Sequence, residues 1–187
     1  MNAMQVAQRM TADEYLALGE GYPRTQLIEG EVVLNQPELL HQLVLIDLMG
    51  ALRDWMRAAP GRGLLSLPLD VKLDERNVFA PDVMWYAEGR APARYDKRPY
   101  PVPRIAVEVR SPSTWRYDVG AKRAAYSRAG LPELWLVDTA ARRILVLRRS
   151  DPAAKEFDVS LELGIRDELT SPQLPEFALA VSSLFAD

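Results

Sequence analysis

With 187 residues, 48% of them hydrophobic and 26% charged, the chain has the composition of an ordinary globular protein and is long enough for one domain, 1–187, with a substantial core. No run reaches the roughly 18 apolar residues of a membrane span, and Met1 to Gln5 lack the basic-then-apolar profile of a secretory signal, so a cytoplasmic location is expected. The absence of cysteine excludes disulfides, thiol nucleophiles and thiolate zinc sites, and the net charge of −3 gives no general attraction to nucleic acid.

Thr11-Ala12-Asp13-Glu14 has the spacing of a capping box and predicts a short helix through Leu18, stopped by Gly19, Gly21 and Pro23. From Arg24 to Asn35, two apolar-rich runs flank Glu29-Gly30 and predict a hairpin. Glu29 and Glu31 are either ordinary turn and edge-strand acids, or one of them is a supplementary metal ligand. Pro37 precedes a long helix from Glu38 to Ala59, closed by Pro60-Gly61-Arg62-Gly63. His41, the single histidine, heads the stripe Leu45, Leu48, Leu52 and Trp55. It is either a hydrogen-bonded core residue or a site residue that orients water or contacts phosphate. Apolar residues surround this helix through Met49, more than one small sheet covers, which predicts a homodimer or higher homo-oligomer.

Leu64 to Leu73 and Phe79 to Tyr86 read as antiparallel partner strands joined by the turn Asp74-Glu75-Arg76-Asn77. Ile105 to Arg110 is a third strand. Period-two alternation puts Asp82 on the face of Met84 and Tyr86, and Glu108 with Ala106 and Arg110, opposite Ile105, Val107 and Val109. A carboxylate inside an apolar strand is costly unless it is paired, hydrogen-bonded or holding a cation. Two such strands side by side bring Asp82 and Glu108 together, where like charges share a proton or bind a metal. Asp70 joins them if its strand is adjacent, or forms a salt bridge to Lys72 or Arg110.

Ser111-Pro112-Ser113-Thr114 reads as the start of a helix to Ala129, with Trp115, Val119, Lys122 and Tyr126 in one stripe and Asp118 a turn before Lys122. Ala87 to Pro103, with four prolines among basic residues, reads as a loop. Pro132 to Thr139 is a strand parallel to Ile105–Arg110 across a helical crossover. Arg143–Arg149, Phe157–Leu163 and Leu169–Val181 complete the sheet, and Ser182 to Phe185 is a terminal turn. The architecture is therefore α/β, with a mixed, mostly antiparallel sheet flanked by the 38–59 and 114–129 helices. Residues 90–128 hold ten arginines and lysines against Asp96, Glu108 and Asp118, a basic surround suited to a phosphodiester backbone.

The ordered string Pro81-Asp82, Glu108 to Ser113, Asp118/Lys122/Tyr126 and Gly130 to Asp138, with Leu27 to Glu31 and His41 upstream, resembles the Uma2 (DUF820) family. The resemblance covers residues 11 to 150. It implies a restriction-endonuclease-like, PD-(D/E)XK core that binds Mg²⁺ or Mn²⁺ and cuts phosphodiesters of nucleic acid, DNA before RNA. It also implies Asp82 and Glu108 as metal ligands. The superfamily carries a lysine two residues after the second acid, where this chain has Arg110, a group too permanently charged to deprotonate water but able to steady a phosphate. Lys122 on the following helix is then the candidate catalytic lysine, with Asp118 and Tyr126 orienting it. The alternatives are a nucleic-acid-binding or oligomeric scaffold without turnover, and a structural ion network of Asp82, Glu108 and Lys122 with no ligand.

Overall fold

The computed structural model describes residues 9–18 and 24–186. The expected capping box is closed: Thr11 Oγ1 accepts from the Glu14 N–H at 3.2 Å, and the Thr11 N–H donates to Glu14 Oε2 at 2.8 Å. Helix α1 follows as Ala12–Ala17; its expected stop at Gly19, Gly21 and Pro23 lies outside the described residues. Strands β1 (Thr25–Ile28) and β2 (Glu31–Leu34) pair antiparallel around Glu29 and Gly30, whose φ angles of 50° and 80° suit a two-residue hairpin turn. A Cβ at position 30 would lie 2.7 Å from that of Arg9, so glycine is needed for space as well as conformation.

Helix α2 (Leu39–Arg57) buries His41, Leu45, Leu48, Leu52 and Trp55, the expected stripe. Two stretches read as single strands are each broken. Leu64 to Leu73 divides into β3 (Leu64–Ser66) and β4 (Val71–Asp74), and Phe79 to Tyr86 is split between β5 (Asn77–Phe79) and β6 (Val83–Tyr86). Pro68 and Pro81 sit in the breaks. Each lacks the N–H that a ladder needs and constrains the residue before it. The two halves of each stretch therefore serve different sheets.

β4 and β5 join the first hairpin in a four-stranded sheet ordered β2-β1-β5-β4. β3 and β6 join β7 (Ile105–Val109), β8 (Glu133–Asp138), β9 (Arg143–Arg148) and β10 (Val159–Leu163) in a six-stranded sheet ordered β10-β9-β8-β7-β6-β3. Within it only β7 and β8 run parallel, from Ile105↔Glu133 to Val109↔Val137. The crossover between them is α3 (Trp115–Tyr117), a π-turn (Asp118–Lys122) and α4 (Arg123–Arg128). β11 (Glu168–Ser171) and β12 (Leu174–Ala180) form a separate hairpin, followed by a 3₁₀ turn, Val181–Phe185.

The alternation read along β7 sorts the core into two layers. Ile105, Val107 and Val109 pack with α2, β12 and the 3₁₀ turn, whereas Ala106 packs with Tyr126, Leu134, Leu136 and Phe79 on the other side. The buried Glu133 accepts hydrogen bonds from Trp135 Nε1 and Ser171 Oγ, both at 2.7 Å, and so fastens the β11–β12 hairpin to the central sheet. Leu48 is fully buried in the first layer while Leu43, on the same helix, is 48% exposed. Leu48→Ala is expected to cost roughly 2–5 kcal/mol in urea unfolding. Leu43→Ala, judged by exposure, should stay within about 0.5 kcal/mol of the parent.

Candidate active site

Asp82 is the last residue of the Ala80-Pro81-Asp82 break. The antiparallel register Val83↔Val107 and Met84↔Ala106, continued by one step, sets it opposite Glu108. The two carboxylates are thus brought together by neighbouring backbones. Asp82 Oδ2 accepts the Val109 N–H at 2.7 Å, and Oδ1 lies 3.4 Å from His41 Nε2. The other ring nitrogen, Nδ1, is 3.3 Å from the Arg110 carbonyl, so both nitrogens face acceptors. Burial opposes protonation of this ring, but Asp82 and the backbone carbonyls outweigh it and push its pKa above the ordinary value.

Glu108 stands at the centre of a buried charge cluster. Its Oε1 accepts the Tyr126 hydroxyl at 2.5 Å and lies 2.6 Å from Lys122 Nζ. Lys122 is 2.9 Å from Asp118 Oδ1, and its ammonium lies 5.4 Å from the centre of the Phe79 ring. Thr114 Oγ1 donates to Asp118 Oδ2 at 3.2 Å, and Thr114 and Ser111 hydroxyls meet at 2.8 Å. The Ser111 to Thr114 segment therefore does not cap the helix through a side chain, as its composition suggested; its hydroxyls hold Asp118. The stripe also differs from the expected one. The π-turn aligns Thr114, Asp118, Lys122 and Tyr126 inward and leaves Val119 exposed.

Two acids, Glu108 and Asp118, thus hold one ammonium, and Asp82 stands beside Glu108 on the neighbouring backbone. Burial, followed by repulsion from Asp118 and Asp82, pushes Glu108 up to about 8 against the attraction of Lys122. Lys122 is raised as well: burial disfavours its charge, but Asp118 and Glu108 outweigh burial. Tyr126 is raised chiefly by burial and then by Glu108.

Asp82 and His41 face a cavity of about 500 Å³. Its walls come from β1, α1, α2 and the two connections that pass between the sheets, and include Gln26, Asn35, Asp70 and Arg98. Asp70 is there, but its partner is Arg98, at 2.7 Å, in place of the expected Lys72 or Arg110. Gln26, buried in β1 and accepting the Ala80 N–H at 3.2 Å, went unremarked in the sequence, where a glutamine in the apolar run Leu27-Ile28 was its one signal. Arg110 turns away from Asp82 and Glu108: it pairs with Asp138 at 2.8 Å and lies 5.5 Å over the Trp115 ring. Glu29 is exposed on its hairpin turn and contributes nothing to the cavity.

The family model described as "Putative restriction endonuclease", Uma2, matches residues 12–182. The chain belongs to the Uma2 family. No curated protein matches it. Among solved structures, a protein from Anabaena variabilis titled a "putative nuclease belonging to DUF820" shares the fold, with a TM-score of 0.77 at 18% identity over 94% of this chain and 97% of that one. In this Uma2 protein Asp82 lies at the wall of a cavity, and Glu108 lies behind it on the neighbouring strand.

Two outcomes follow from the charge cluster. Lys122→Met leaves Glu108 and Asp118 buried without their cation and should cost roughly 3–5 kcal/mol, with adding Glu108→Gln recovering part of it in a double-mutant cycle. Glu108 holds its proton more tightly folded than unfolded. Its contribution to stability is therefore full below its ordinary value of 4.5 and is lost as pH rises through about 8. In metal-free buffer the thermal midpoint should fall across that window, and fall less in Glu108→Gln, as differential scanning calorimetry would show.

Proposed function

We propose that this Uma2 protein is a nuclease that hydrolyses phosphodiesters of nucleic acid, DNA before RNA, with Mg²⁺ or Mn²⁺ held by Asp82 and Glu108. The observation that carries the reading is the pairing of these two carboxylates on adjacent backbones, Asp82 at the wall of a cavity and Glu108 behind it, in a cluster with more buried negative than positive charge. Burial first, and then repulsion from Asp118 and Asp82, raises the Glu108 pKa, and a divalent cation is the simplest group to relieve both. Among the described residues no three acidic or histidine side chains form a complete metal cage. Two carboxylates still suit Mg²⁺, which keeps several waters and takes substrate phosphate oxygens as its remaining ligands. Asp82 and Glu108 would hold the metal, which would supply an acidified water and neutralisation of charge on the scissile phosphate.

The protein groups divide the remaining work. The Val109 N–H fixes one Asp82 oxygen and His41 braces the other. Tyr126 and Lys122 hold Glu108 Oε1 from behind, which sets the direction of Oε2. Lys122 is fully buried and held protonated, so it acts through Glu108 as a fixed cation and does not take a proton from water. Asp118 keeps it in place. Arg110, turned to Asp138, favours the second reading, a nucleic-acid-binding scaffold without turnover, because the position that carries the superfamily's lysine adds nothing to the site. The exposed row Leu39, Leu43 and Ile46, with Val32 and Leu34 of β2, supports self-association of a cytoplasmic protein.

Calorimetric titration with Mn²⁺ and Mg²⁺ tests the metal pair, alongside plasmid-nicking and oligonucleotide cleavage. Binding is expected in the wild type and lost in Asp82→Ala. Cleavage should fall by about 100-fold or more in Asp82→Asn, Glu108→Gln and Lys122→Met. Metal binding without cleavage of any substrate would establish the scaffold, and no binding at millimolar metal with nucleic acid present would leave a structural ion network.

A further inference from the structure

Resting on that reading of the site, we infer that the substrate is a single-stranded stretch of nucleic acid, such as an overhang, loop or unpaired end, and that intact duplex is excluded. Asp82 and His41 are only 5% and 2% exposed, at the wall of the 500 Å³ cavity. A cavity of that volume is about 10 Å across if equidimensional, within the range of pockets that enclose a small molecule. The major groove of a B-form duplex is alone about 12 Å wide. A duplex therefore rests on the mouth, with Asp82 beneath it, whereas one unstacked nucleotide enters.

The lining fits such a guest. Tyr15, Leu45, Leu67 and Pro68 supply apolar wall for a base, and Gln26 and Asn35 supply amide groups for its polar edge. A second hollow, of about 520 Å³, shares Pro68, Asp70 and Arg98 with the first. Arg98 stands between them, held by Asp70 at 2.7 Å and by the Leu16 carbonyl at 3.0 Å. A guanidinium fixed between two nucleotide-sized hollows is placed for the phosphate that joins two nucleotides. The loop that carries Arg98 also presents Arg90, Arg94 and Lys97 to solvent, with Tyr95 88% exposed among them. Cations interleaved with an exposed aromatic ring form the usual track for a single strand. The local charge answers the overall charge of −3: the basic groups line the approach, and the acids sit at the cavity wall and behind it.

The test compares labelled single-stranded oligonucleotides, in DNA and RNA versions, with a blunt hairpin duplex of the same sequence. Binding is read by anisotropy in Ca²⁺ and cleavage by gel in Mn²⁺. The single strand should bind and be cut at least about 10-fold better, with hairpin cuts confined to the loop. Gln42→Trp, which places a large ring at an exposed position on the cavity wall, should lower single-strand cleavage by about 10-fold with metal binding and thermal midpoint unchanged. Arg98→Lys should weaken binding to a lesser degree, and Tyr95→Ala should reduce binding of longer strands only. Equal or faster cutting of duplex overturns the single-strand assignment and leaves the nuclease standing. Single-strand preference in binding with no cleavage overturns the nuclease and upholds the assignment. Absence of both overturns the two together.

Discussion

Two carboxylates, Glu108 and Asp118, converge on one buried ammonium, a third, Asp82, faces Glu108 across the strand pair, and the rest of the site is arranged around that imbalance. Lys122 lies 2.6 Å from Glu108 and 2.9 Å from Asp118, one cation between two buried acids. A buried charge of this kind is tolerated only where hydrogen bonds or further cations offset its desolvation. Val109, His41, Thr114 and Tyr126 each supply one of the offsetting contacts. What they leave over is the raised proton affinity of Glu108. Sites built for chemistry show this pattern more often than sites built for stability.

The geometry behind the imbalance comes from the backbone. Pro68 and Pro81 break two stretches at equivalent places, and each chain passes from the four-stranded to the six-stranded sheet there. Asp70 and Asp82 lie within these breaks, free of the ladder and pointed at the gap between sheets. The gap is the cavity. Asp118 and Lys122, four residues apart in the π-turn after β7, share one face, and Lys122 reaches Glu108 from it.

Much of this was legible in the sequence. Asp82 and Glu108 interrupt apolar runs, and alternation along β7 assigns the apolar neighbours of Glu108 to the correct faces, as the two core layers show. The parallel β7–β8 pair and the buried stripe of α2 follow from element order and spacing. The strand breaks did not, although Pro68 and Pro81 announced them, because an apolar run of that length also satisfies one continuous strand. The stripe Trp115, Val119, Lys122 and Tyr126 assumed the α-helical period; no residue between Asp118 and Lys122 signals the wider turn. Arg98 and Gln26 were invisible as site residues because the sheets that bring them to Asp82 are joined only in three dimensions. The same holds for Arg110, which alternation places beside Glu108 but which leaves the strand and finds Asp138.

The division of two hairpin segments between two sheets has a consequence for how the protein comes into being. Neither sheet alone contains the cavity, since Gln26 belongs to one and Asp82 takes its place from pairing in the other. A chain that has formed only its first hairpin and α2, as it would during synthesis, holds His41 without Asp82. A chain that has formed β7 but not the crossover helix holds Glu108 without Lys122. The groups converge only at the last stage of assembly, when long-range contacts close both sheets on each other. The candidate site is thereby incomplete in any partly folded chain and is assembled only when both sheets are closed.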